Sequence, residues 1–269
     1  MKAVTDRPKI VIEDEELSSF NESINIWVYG NYGVGKTVLI GDVSNAESAK
    51  SVTWLTTEKG IVAAKRVGHT GRVWRAPSWP HVEAAIDRAD AELGENDWLL
   101  VDSANKMQTL LHLWWLGKEH AENEARDEDI PQIQDYQKFQ NMFKRFITHL
   151  VDAPYNCIFT STAMTHEDPE GENIVLPAII GKGYEVANYC AAEMDQVLYY
   201  GMARQTDRNA PAIRRLLSET FPPWHAKDRY RVLPRWLDVE EDEFDVMSWI
   251  VDEIMKIPAE QRQAMKAAG

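Results

Sequence analysis

The sequence predicts an α/β fold with a mostly parallel sheet flanked by helices, closed at one edge by late antiparallel strands. Three observations predict it. The string Gly30-Asn31-Tyr32-Gly33-Val34-Gly35-Lys36-Thr37 follows a strand-like run, Ile24 to Tyr29, and opens a helix-like one from Lys36 to Ile40. Apolar runs recur at 51–56, 97–102 and 155–161, each followed by or ending in polar residues, as when buried parallel strands deliver side chains to a ligand edge. Helical patterns separate these runs, and alternation of strand and helix is what a parallel sheet requires.

In order along the chain, residues 1–23 hold Ile10-Val11-Ile12 and the acidic run Glu13-Asp14-Glu15-Glu16, and read as an N-terminal arm. Residues 24–235 read as one core. After the glycine-rich turn and its helix, Ser51 to Thr56 is β-branched and aromatic, which suits a strand, and Thr57 and Glu58 fall just past its end. Arg72 to Arg75 is a weak strand, and Ser78 with Pro80 starts a helix to about Leu93. Asp97 to Asp102 is a buried strand ending in an acid. From Asn105 to Leu150 the pattern is helical with a charged break at 118–129. Its second part sets Tyr136, Phe139, Phe143, Phe146 and Ile147 on one face, which predicts core rather than a base-stacking platform. Tyr155 to Ser161 is a further strand, and His166 to Asn173 reads as a turn-rich, mobile loop. Asp195 to Tyr200 and Ala212 to Leu217 read as late strands, antiparallel at the sheet edge. Residues 236–269 read as a helical segment whose apolar face is Phe244, Met247, Val251 and Ile254.

Composition narrows the function classes. A formal net charge of -14 argues against a protein that coats duplex DNA through its overall field. Two cysteines, Cys157 and Cys190, give neither a disulfide framework nor metal-site spacing, so they read as buried small hydrophobes of a protein from a reducing, cytoplasmic setting. Met1 to Ile12 lacks the apolar stretch of a signal peptide, and no run approaches the ~18 apolar residues of a membrane span, so no membrane partner is expected.

The glycine-rich string has the form GxxxxGK[ST] in its strand–turn–helix context, which is a P-loop. Residues Gly30, Asn31, Tyr32, Gly33, Val34, Gly35, Lys36 and Thr37 would cradle the phosphates of ATP, because glycines let backbone N–H groups turn inward and the helix start adds positive potential. Lys36 would meet the β- and γ-phosphates, and Thr37 would hold Mg²⁺ with Asp102 completing the metal shell. Glu58, a carboxylate just beyond a strand neighbouring the P-loop, is the candidate for polarising the attacking water. A GTPase is disfavoured because Asn105-Lys106-Met107-Gln108 lacks the acid of the guanine-reading NKxD.

GNYGVGKT, then WLTTEKG, then LLVDS, then a strand ending in Ser161-Thr162, then AKDR resembles the RecA-fold P-loop ATPases over residues 24–235. Within them the chain is most similar to compact phage RecA-like single-strand annealing recombinases. The resemblance implies a RecA-like core, with Glu58 as catalytic glutamate and Asp102-Ser103 as Walker B. It also makes Lys227 and Arg229 the KxR pair that reaches a neighbouring subunit's ATP site. It further implies a Mg²⁺-dependent ATPase acting on single-stranded DNA in phage recombination or annealing. The assembly would be a homo-oligomeric ring or filament, with a single-strand-binding protein as a further partner. The chain departs from RecA proper, which has a glutamine where Ser161-Thr162 stands and a separate N-terminal DNA-binding domain. The DNA-facing loops by resemblance, 118–134 and 166–182, are acidic or mixed. The most basic stretch is Arg204, Arg208, Arg214 and Arg215. A DNA-packaging or translocating motor and a nucleotide-switched binding module stand as alternatives.

Overall fold

The computed structural model describes residues 23–127, 129–203, 213–240 and 245–268. The expected N-terminal arm, Arg204, Arg208, Ala212 and Phe244 therefore lie outside the described residues. A central sheet is built from β1 (Asn25–Tyr29), β2 (Ser51–Thr56), β3 (Arg72–Arg75), β4 (Asp97–Asp102), β5 (Asn156–Ser161), β8 (Gln196–Met202), β9 (Arg214–Leu217), β10 (Lys227–Asp228) and β11 (Trp236–Val239). Their order is β11-β9-β8-β1-β5-β4-β2-β3, with β10 beside β8. The six strands from β8 to β3 run parallel, while β9, β10 and β11 are antiparallel to their neighbours. The predicted α/β class, mostly parallel with late antiparallel strands, is what the chain adopts.

Period-two alternation sends each strand's side chains to two cores. From β1, Trp27 and Tyr29 join one core with α3 (Trp79–Glu92), α4 (Ala104–Glu122), α5 (Ile133–Val151) and α6 (Glu185–Glu193). Ile26 and Val28 join the other with α1 (Lys36–Gly41), α2 (Ile61–Arg66) and α7 (Val246–Lys256). The α5 stripe packs as its spacing requires, with Phe139, Phe143 and Ile147 fully buried, whereas Tyr136 at its start stays 40% exposed. Cys157 and Cys190 are free, buried thiols, and burial pushes both well up from the usual range.

Three expectations are corrected. The strand expected at Asp195 to Tyr200 is not an antiparallel edge: β8 is parallel to β1 and interior. The helix α6 that precedes it supplies the crossover a parallel return needs. The loop expected at His166 to Asn173 is the end of a two-stranded hairpin, β6 (Ala163–Glu167) with β7 (Asn173–Pro177). Its turn is closed by the Asp168 carboxylate, which accepts the N–H groups of Glu170 and Glu172 at 3.0 and 2.8 Å, and by Gly171 at φ 84°. The segment 236–269 is helical only after β11, where Leu237 and Val239 turn inward and Trp236 and Asp238 outward, a strand period. Beyond it come α7 and α8 (Ala259–Ala268), the former packed on α1 and the 3-10 turn Asp42–Asn45.

Parallel strands share one C-terminal edge, and there the chain leaves β1, β2, β4 and β5 through Gly30, Thr57, Ser103 and Thr162. The sequence's polar strand ends therefore converge in one place.

Candidate active site

Gly30 leaves β1 against its neighbour β8 so closely that a Cβ would stand 1.9 Å from the Tyr200 carbonyl oxygen. Only glycine lets the chain turn there. Gly33 and Gly35 hold φ of 75° and 101°, the left-handed region glycine enters without a steric cost. The loop they shape ends in α1, whose first residues are Lys36 and Thr37.

Lys36 Nζ donates to the carbonyls of Gly30 and Asn31 at 2.9 and 2.8 Å, folding back over the loop. Burial lowers its pKa, opposed by the negative charges of Asp102 and Glu58. Thr37 Oγ1 donates to Asp102 Oδ2 at 3.0 Å, and Thr160 Oγ1 donates to Asp102 Oδ1 at 2.5 Å. Asp102 is 3% exposed. Burial raises its pKa, Glu58 adds to the rise, and the two threonine hydroxyls and Lys36 oppose it. Glu58 is brought in by a short turn after β2, in which its N–H donates to Thr56 Oγ1 at 3.1 Å. Its Oε1 accepts from the Ser103 hydroxyl.

These groups line a cavity of about 330 Å³, with Tyr32, Lys36, Thr37, Glu58, Asp102 and Ser161 in its wall. The structure thus gathers Lys36, Thr37, Glu58 and Asp102 from three loops into one site. Thr160, Ser103 and Gly60 also belong to it. A Cβ on Gly60 would lie 3.2 Å from Thr37 Oγ1, so the β2–α2 turn closes over the P-loop threonine. Thr160 is one of three polar residues in β5, with Asn156 and Ser161, so nothing local singled it out as a partner of Asp102. Ser161, at the position where RecA proper has glutamine, accepts from Trp27 Nε1 at 3.0 Å through its hydroxyl.

The donor set suits Mg²⁺. Among the described residues no group of three or more His, Cys, Asp or Glu forms a metal cage, and Mg²⁺ binds through one or two carboxylates or hydroxyls plus phosphate oxygens and waters. Thr37 Oγ1 and Asp102, already in contact, would hold it.

Lys227 and Arg229 are not in this site. β10 pairs with the start of β8, Lys227 opposite Val197, at the sheet edge away from the P-loop. Both side chains project the same way and donate to the Ala192 carbonyl at the end of α6, at 2.9 and 3.1 Å. Arg229 also lies 3.6 Å from Asp195. Burial, with repulsion from Arg229, lowers the Lys227 pKa to about 8. A larger cavity of about 470 Å³ opens beside them, lined by Lys227, Arg229, Arg231 and Gln261. Its size does not make it the centre of the chemistry, because it has neither a glycine cradle nor the Thr–Asp pair.

Comparison with curated sequences gives no match. Among solved structures the chain is similar to a prototypical ATPase from the type III secretion system of pathogenic bacteria, at 13% identity and a TM-score of 0.38 over 66% of this chain. The match spans 52% of that ATPase, about half its length, and is too distant to carry an argument. No helix among the described residues is long and apolar enough to cross a membrane. Residues 22–230 match the sequence profile of the AAA domain, so the chain belongs to the AAA domain family of P-loop NTPases.

Proposed function

We propose that the chain is a Mg²⁺-dependent ATPase of the RecA-like type that acts on single-stranded DNA, in phage recombination or annealing, as a cytoplasmic head-to-tail homo-oligomer. The observation that carries the ATPase reading is the meeting of Thr37, Asp102 and Glu58 within one cavity beside Lys36. In hydrolysis a water oxygen bonds to the γ-phosphorus as the bond from that phosphorus to the bridging oxygen breaks, giving ADP and phosphate. Glu58 would orient that water and take its proton, and Lys36 would meet charge on the β- and γ-phosphates. Magnesium, when bound, supplies further charge neutralisation at the same oxygens.

Two observations support the assembly and the partner. The P-loop site and the Lys227/Arg229 pair occupy opposite edges of the sheet. A heterologous, head-to-tail interface would bring one subunit's pair to its neighbour's γ-phosphate. For single strands, a surface ladder of aromatic rings and guanidinium groups offers stacking and charge together. Trp224 stacks with Phe221 at 6.4 Å, Arg235 lies 4.9 Å over Phe221 and 5.8 Å over Trp236, and Arg215 lies 5.4 Å over Trp236. Phe221 and Trp236 are each 44% exposed, although the chain is strongly acidic.

The test is the ATPase rate with single-stranded DNA, duplex DNA, or neither. Stimulation by single strands is expected. Stimulation by duplex alone would point to a translocating motor, and indifference to both would point to a nucleotide switch.

A further inference from the structure

Arg214 lies far from the P-loop in sequence and touches it in the fold. It opens β9, where its backbone is paired on both sides, with Met202 of β8 and Val239 of β11. Its side chain crosses to the loop, and Nε donates to the Val34 carbonyl at 2.9 Å. Gly35 sits against the same guanidinium: a Cβ there would be 3.6 Å from Nε.

A trans peptide is planar, with its C=O and N–H pointing in opposite directions. Holding the Val34 carbonyl toward Arg214 therefore aims the Gly35 N–H away from the guanidinium, and Gly35, with Lys36 and Thr37, lines the cavity. No backbone acceptor among the described residues takes that N–H. Gly35, at φ 101°, is free of the Cβ that would otherwise restrict this peptide, so the glycine alone does not fix its orientation. The contact from β9 does.

We infer that Arg214 is a positioning residue for the phosphate chain of the nucleotide: it locks the Val34–Gly35 peptide with its N–H presented to phosphate oxygens. This rests on reading the cavity as a nucleotide site. It adds to that reading a requirement from the antiparallel end of the sheet, which the P-loop motif does not contain. Arg214 acts through the peptide and does not itself contact the reacting atoms.

The test is calorimetric titration of MgADP, and separately of pyrophosphate with Mg²⁺, into the wild-type chain, Arg214→Met and Arg214→Lys. Methionine fills the space without a donor, so affinity for both probes should fall by the same factor, about tenfold, the scale of one charge-assisted hydrogen bond. Binding stoichiometry should stay at the wild-type value. Lysine restores a cationic donor with different geometry and should fall between the two. A role in folding alone would lower the stoichiometry and leave the affinity of the folded fraction unchanged, which would overturn the inference. So would Arg214→Met binding MgADP within twofold of wild type, or weakening for MgADP without weakening for pyrophosphate. If Arg214→Met does not fold, Arg214→Lys decides: weaker binding at full stoichiometry supports the inference, and unchanged binding overturns it. A wild-type chain that binds neither probe removes the nucleotide reading itself, and the inference with it, an outcome distinct from the others.

Discussion

Replacing Asp102 by asparagine should separate the stability of the site from its metal chemistry. The carboxylate is buried, with one oxygen accepting from Thr37 and the other from Thr160. Asparagine keeps one acceptor, and its amide can donate to the second threonine, whose hydroxyl turns round to accept. The hydrogen-bond count is then preserved while a buried charge, disfavoured by desolvation and by Glu58, disappears. Removing the charge relieves that desolvation but gives up the attraction of Lys36, so the net effect should be neutral to mildly stabilising, at most ~1 kcal/mol, which is about 2–4 °C in Tm for a chain of this size. The metal effect has the opposite sign. Loss of an outer carboxylate costs about 10- to 100-fold in metal affinity, or about 1.4–2.7 kcal/mol of the stabilisation that Mg²⁺ with nucleotide gives the folded state. Thermal unfolding of both proteins, with ADP in EDTA and with ADP plus Mg²⁺, measures both effects. Asp102→Asn should match or exceed wild type in EDTA and fall below it in Mg²⁺. A variant that melts several degrees lower in EDTA, or gains as much from Mg²⁺ as wild type does, would refute this account of Asp102.

Lys36→Ala should leave the fold intact, because the Gly30 carbonyl keeps the Ala163 N–H as donor and the Asn31 carbonyl belongs to an exposed residue. It should weaken ATP binding in calorimetry and abolish turnover. Lys227→Ala/Arg229→Ala and Glu58→Gln should each bind ATP and hydrolyse it poorly, and mixing the two dead proteins should restore ATPase activity at interfaces that join an intact Glu58 to an intact pair. A mixture that co-assembles by mass measurement but stays inactive would mean that the pair does not act in trans. Stability also carries a signature of Lys227. Its folded pKa of about 8 lies below the unfolded 10.5, so between these values the unfolded chain binds more protons and folding stability gains with rising pH. Lys227→Met should flatten that gain in urea midpoints measured from pH 7 to 10.5.

The parts of this molecule legible in its sequence are those set by local chemistry. The P-loop glycines, the aromatic stripe of α5 and the acid ending β4 each follow from spacing within a few residues. Thr160 and Arg214 were not legible as site residues, since their contacts to Asp102 and Val34 span 58 and 180 residues. The hairpin escaped because β6 alternates only weakly between partly buried and exposed positions, so its tip chemistry showed but its strands did not. Whether β8 lay inside or at the edge depended on the α6 crossover, which is a property of connection rather than of the strand's own residues. Lys227 and Arg229 were legible as a pair sharing one face, but nothing local said which sheet edge they occupy.

The central claim is that Glu58, held by Ser103 beside the Thr37–Asp102 pair, activates water for attack on ATP. The most direct test is Glu58→Gln, measured by calorimetry for MgATP binding and by single-turnover hydrolysis. The account predicts binding within about threefold of wild type and hydrolysis slower by about 10²-fold or more, the scale of losing a general base. Hydrolysis at a near-normal rate would contradict it and leave Glu58 as a carboxylate that merely lines the cavity.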